Sequence, residues 1–153
     1  MPASSHYGAC VVAALAVAAT TCSLATARAA IRATRAEVPS QASPDEPPVR
    51  ADPALADRVA CFDGVLAVSI ASGGTAGDTA WLAFVRAGSG WRVVKAAGGY
   101  KLGIFRSGKQ LEVAQPVYHP RDPNCCPTGG FDRVLYRFDG RALVVTRRWH
   151  TAP

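Results

Sequence analysis

The first 27 residues of this 153-residue chain contain no Asp, Glu, Lys or Arg. Residues 9–27 form an unbroken uncharged run rich in alanine and valine, and Ala27-Arg28-Ala29 closes it. An apolar run followed by a small-x-small tripeptide is the secretory pattern, which predicts a signal sequence over 1–29 with cleavage after Ala29. A basic n-region is missing, since residues 1–8 offer only His6 and the amino terminus. The positive charges lie behind the run, at Arg28, Arg32 and Arg35. That placement is unfavourable for an uncleaved anchor that leaves its C-terminal side outside. A lipid anchor at Cys22 calls for a Leu-like residue three positions earlier, and Ala19, Thr20 and Thr21 match that poorly. The expectations therefore rank as cleaved secretion, then a lipid anchor at Cys22, then an uncleaved anchor.

Other absences exclude function classes. No strand–helix alternation runs along the chain, which removes the common α/β cofactor folds. No P-loop or G-x-G-x-x-G pattern precedes a helix; Gly73-Gly74 and Gly98-Gly99 read as turns. Arg147-Arg148 is an isolated basic pair, and nucleic-acid binding needs a denser stripe. Lys and Arg number 17 against 11 Asp and Glu, a net charge of +6. Such an excess suits a solvated basic surface. It also fits attraction to a cell-wall polymer, an anionic membrane surface or another exported protein.

Residues 30–52 hold prolines at 39, 44, 47 and 48 and no aromatic. They read as a disordered Pro/Ala-rich linker, too poor in apolar surface to offset the entropy of ordering. Residues 53–60 read as a short helix with Asp52 as N-cap and Pro53 at the first helical position. Beyond them the hydrophobic period is two. Strands are expected over 65–71, 79–85, 91–96, 100–105, 110–118, 132–138 and 141–149. Turns are expected at Ala87-Gly-Ser-Gly90, Arg106-Ser-Gly-Lys109 and Asp139-Gly140. Alternation turns Leu111 and Val113 inward and Glu112 outward, and Pro116 marks an edge or bulge. Residues 53–153 are thus expected to be mainly β: a twisted antiparallel sheet of six or seven strands, curled toward a half-barrel, with one short N-terminal helix.

Between two of these strands lies His119-Pro-Arg-Asp-Pro-Asn-Cys-Cys-Pro-Thr-Gly-Gly130. Exported cysteines are expected to be oxidised, and cleavage after Ala29 would leave Cys61, Cys125 and Cys126. Three outcomes are open, the first favoured, the second close behind it and the third last. Cys61 can bond one loop cysteine, closing roughly 65 residues for about 4 kcal/mol in the chain-entropy model. Cys125 and Cys126 can bond each other in an easily reduced eight-membered ring. All can be free, or ligate a metal with His119 or Asp122; adjacent cysteines diverge, so zinc is disfavoured. A stapled surface loop outweighs a catalytic role. Cys126 with His119 or His150 is a nucleophile–base pair without an orienting third residue, and Asp122, Asp132 and Asp139 sit where turns use aspartate. No catalytic, cofactor or metal set is assigned; His119, Asp122 and Asn124 are the loop's candidate contact residues. Trp81, Trp91 and Trp149 would suggest a carbohydrate or peptide surface if two were exposed together.

Residues 116–130, with Asp122-Pro-Asn-Cys-Cys-Pro127 at their centre and Tyr136-Arg-Phe-Asp-Gly140 after them, resemble exported actinobacterial lipoproteins of the LppP/LprE type. In those an Asp-Pro-x-Cys-Cys-Pro loop precedes a final β-hairpin. The resemblance implies location and fold, not an activity. Three readings of function follow. The first is a non-enzymatic exported or cell-envelope β domain that binds or supports something. The second is a thiol-based redox or hydrolytic enzyme using Cys125 or Cys126 with His119. The third is an inhibitor presenting the 119–130 loop.

Overall fold

The computed structural model describes residues 21–43 and 45–153. The apolar run over 9–20, and most of the expected signal, lies outside them. The described chain is mainly β with one helix, as expected, but its strands form two four-stranded sheets and a small two-stranded one. In chain order the elements are α1 (Leu24–Thr34), β1 (Glu37–Val38), β2 (Val49–Arg50), β3 (Ala56–Phe62), β4 (Val65–Ala71), β5 (Asp78–Ala87), β6 (Gly90–Gly98), β7 (Gly103–Ser107), β8 (Gln110–Pro116), β9 (Phe131–Phe138) and β10 (Leu143–Thr151). The first sheet runs β3-β4-β5-β6 and the second β10-β9-β8-β7; every pairing is antiparallel between consecutive strands. Among the described residues no sheet closes on itself as a barrel.

The first sheet is buried on both sides. One face, including Leu66, Val68, Ile70, Leu82 and Phe84, packs against Ala27, Ala30 and Ile31 of α1 and against Val38 and Ala51. The other, including Phe62, Val65, Trp81 and Val85, packs against Ile104, Leu111, Tyr136 and Leu143 of the second sheet and against Leu102 just before β7. Trp81 and Phe84 thus lie on opposite faces of β5, as the alternation predicts. Each such fully buried apolar side chain contributes roughly 1.5–3 kcal/mol.

At the N-terminus the structure places regular elements where the sequence predicts a cleavage site and a linker. The boundary after Ala29 falls inside α1, and the 30–52 segment carries the end of that helix and the β1–β2 pair. Three features stabilise the helix. The Ser23 side chain caps it by accepting from the Thr26 N–H at 3.1 Å. Arg35 ends it in a left-handed conformation with φ 52°. Alanines at 27 and 30 are small enough to lie fully buried on the sheet. The Arg28 guanidinium donates to the Ala56 carbonyl at 3.5 Å, tying α1 to β3. The proline-rich stretch therefore connects β1 to β2 instead of serving as a free spacer.

The expected helix over 53–60 is corrected. Asp52 does cap it, accepting from the Ala54 N–H at 2.8 Å, but the helix is a single 3-10 turn over Pro53–Leu55. The chain then becomes β3 because Ala56, Ala60 and Phe62 each find a buried place in the sheet. Asp63-Gly64, with φ 44° and 76°, turns β3 into β4. Pro116 ends β8, which is central in its sheet but an edge at this far end, as expected: the pairing with β7 stops at Ala114 and Pro116 pairs only with Phe131 of β9. The turns at 87–90, 106–109 and 139–140 fall where expected.

Ile31 is 1% exposed. Ile31→Ala is expected to destabilise the protein by about 2–5 kcal/mol in urea unfolding, the cost of a core truncation. A residue in a free linker would change stability by less than about 0.5 kcal/mol.

Candidate functional site

The loop after β8 is tied shut at its base. The Val117 N–H donates to the Gly130 carbonyl at 2.9 Å, and the Gly129 N–H to the Val117 carbonyl at 3.0 Å. Gly130 has φ 72°, and a Cβ there would collide with the Thr151 carbonyl, so only glycine fits. Inside the loop Asp122 is the organiser. Its carboxylate accepts from the His119 N–H at 2.7 Å, the Thr128 N–H at 2.8 Å and the Thr128 hydroxyl at 2.7 Å. These bonds, those from Thr128 foremost, hold its carboxyl below the ordinary 3.8.

Asn124 joins the loop to the rest of the domain. Its side-chain oxygen accepts from the Tyr100 hydroxyl, and its backbone carbonyl from the Lys101 ammonium and, at 3.0 Å, from the Tyr118 hydroxyl. Tyr100 and Tyr118 meet edge to face with centroids 5.5 Å apart, and the Lys101 ammonium lies 5.6 Å from each ring. Next to Asn124, Cys125 and Cys126 are bonded to each other and exposed. Cys61 does not reach this loop. It is bonded to Cys22 across a Cα–Cα distance of 5.8 Å, fastening the start of α1 to β3. The expected Cys61-to-loop bridge is corrected accordingly, because it assumed that Cys22 is cleaved away. A thioether lipid at Cys22 and this bridge exclude each other.

Among the described residues, no hydrogen bond joins either expected imidazole to a loop sulfur. His150 instead meets Asp132 across the β9–β10 pair, Nδ1 to carboxylate at 2.9 Å. Asp139 accepts from the Arg141 and Ala142 N–H groups, each at 2.8 Å, and these bonds hold its carboxyl below the ordinary range. It is a turn residue, as expected. The tryptophans do not share a surface. Trp81 is buried against Tyr136, Trp91 lies under Arg86 and Trp149 under Arg147. No group of three or more His, Cys, Asp or Glu among the described residues is placed to hold a metal.

Lys101 also borders a groove of about 480 Å³ that the sequence does not announce. Its apolar floor is Phe105, Ala114 and Phe131, on the face of the second sheet turned away from the core, and its rim carries Asp57, Arg58, Asp78, Lys101 and Arg133. The backbone bulge of β3 between Ala56 and Val59 brings Asp57 and Arg58 there. Phe105 folds over Gly103, where a Cβ would meet its ring at 2.8 Å, yet it remains 46% exposed. Asp78 is 7% exposed. Its burial raises the carboxyl above 3.8, and nearby Asp57 adds to the rise while the Ser69 hydroxyl opposes it. Arg58 pairs with Asp57 at 3.4 Å and Arg133 with Glu112. These residues come from five separate strands and a connecting turn, so no local motif marks them.

No family model, curated protein or solved structure matches the chain. No helix among the described residues is long and apolar enough to cross a membrane.

Because the folded-state Asp122 carboxyl is held below 3.8, its contribution is present above that value and lost as pH falls through the lower range. The Thr128 amide resonance is expected to stay fixed from neutrality down to that value and to move below it. Asp122→Asn should abolish this titration and speed hydrogen exchange at the His119 and Thr128 amides at neutral pH.

Proposed function

We propose that the protein is an exported binding domain of the cell envelope or its surroundings, with its ligand site in the groove beside the Cys125–Cys126 loop. The observation that carries this reading is the groove itself. It combines an aromatic floor, a ring of convergent polar groups and a buried carboxyl with a raised pKa. A concave apolar surface with a few placed polar groups is the usual form of a small-ligand site. The loop stabilises one side of it, since Asn124 holds Lys101.

Export is supported by the uncharged run over 9–27 and by the two cysteine pairs, because disulfides persist in oxidising compartments. Export that keeps the Cys22–Cys61 bridge requires cleavage before Cys22 or an uncleaved N-terminus. Ala16-Val17-Ala18 supplies a small-x-small tripeptide upstream of it.

A fusion of residues 1–153 to a phosphatase that is active only outside the cytoplasm tests this reading. Active enzyme is expected from that fusion, and none from one that starts at residue 21. An inactive full-length fusion would contradict export.

A further inference from the structure

We propose that the groove takes a neutral saccharide. This rests on the reading of the groove as a binding site and names the chemistry of its occupant. The rim is rich in charge, yet its charges balance. Arg58 lies against Asp57 and Arg133 against Glu112, and the remaining cation, Lys101, which donates to the neutral Asn124 carbonyl, is matched in number by the Asp78 carboxyl. An ionic ligand would lose its hydration and meet a rim with no net charge of the opposite sign.

The same groups keep hydrogen-bonding capacity. A guanidinium has five N–H donors, an ammonium three, and a carboxylate about four acceptor positions. Arg58, Arg133, Asp57 and Asp78 therefore present donors and acceptors at short intervals around one opening. Hydroxyl groups both donate and accept, so a polyhydroxylated ligand can engage such a mixed rim without bringing charge to it.

The floor supplies the second requirement. Phe105 is 46% exposed and lies on the glycine backbone of β7, with Phe131 and Ala114 beside it. The negative face of an aromatic ring attracts polarised C–H groups, and the C–H face of a pyranose offers these. A volume of about 480 Å³ is within the range of small-molecule sites and open enough for the end of a longer glycan.

The test is an NMR titration of the ¹⁵N-labelled full chain, with both bridges oxidised. Cellobiose, trehalose and N,N′-diacetylchitobiose serve as neutral probes, and zwitterionic leucine and anionic phenylacetate as charged-group probes. At least one saccharide is expected to shift the Asp78, Phe105 and Phe131 amides saturably, while the charged probes leave them in place. Phe105→Ala should weaken that binding about tenfold; its exposed ring is not needed for folding, so resonances outside the groove should be unchanged. The proposal is overturned if no saccharide shifts these amides or if Phe105→Ala leaves the affinity intact. Shifts from leucine or phenylacetate alone would keep the groove as a binding site and reject the saccharide. Silence from every probe would reject the groove as well.

Discussion

Strands β4 and β5 have almost no solvent-facing surface: residues 65–70 and 78–85 are buried without interruption. A sheet with apolar side chains on both faces must be covered twice. The second sheet covers one face through Ile104, Leu111 and Tyr136, with Leu102 just before it. The other face is covered by α1 and the segment around β1 and β2. Losing either cover would expose Leu66, Leu82 and Phe84 or Trp81 and Val65 to water, a loss of several kcal/mol at 25 cal/mol per Å². The organisation of the domain, including its cysteine bridge at Cys22, follows from that requirement.

The second sheet has one such neighbour. Its inner face meets Trp81 and Val85, while its outer face carries Phe105, Phe131, Leu135 and Trp149 among Arg133, Arg137 and Arg147. The cations lie on the aromatics, Arg133 5.5 Å from the Phe131 centroid and Arg147 4.9 Å from that of Trp149. This shields part of the apolar surface without a third layer. At the β7 end no cation among the described residues lies over Phe105, which is 46% exposed. There the β3 bulge, the start of β5 and the Lys101 turn rise around the face and make it concave. The groove is thus a consequence of how the two sheets meet, and the cysteine loop buttresses it through Asn124.

Period-two alternation made most of the strands legible, and glycine or Asp-Gly pairs made their turns legible. Leu111, Val113 and Glu112 point as that pattern requires. Two things were concealed. Alanine-rich residues 24–34 carry the composition of a signal segment, and the same small side chains let a helix lie close on a sheet. Only a partner surface separates those meanings, and β4 and β5 supply it. The 53–60 stretch has a good helix start in Asp52-Pro53, but tertiary pairing with β4 overrides local propensity after one turn. Of the site, the loop was visible because prolines, glycines and paired cysteines are local signals. Asp57, Asp78, Phe105 and Arg133 were not, since each looks like an ordinary strand or turn residue until the sheets bring them together.

The central claim is that the segment beginning at Cys22 belongs to the folded domain as the cover of its first sheet. Disulfide mapping and N-terminal mass spectrometry of the protein recovered from an exporting host test it most directly. The account predicts an N-terminus upstream of Cys22, with Cys22 joined to Cys61 and Cys125 to Cys126. A mature chain that begins at Ala30, with Cys61 free or joined to the loop, would contradict it.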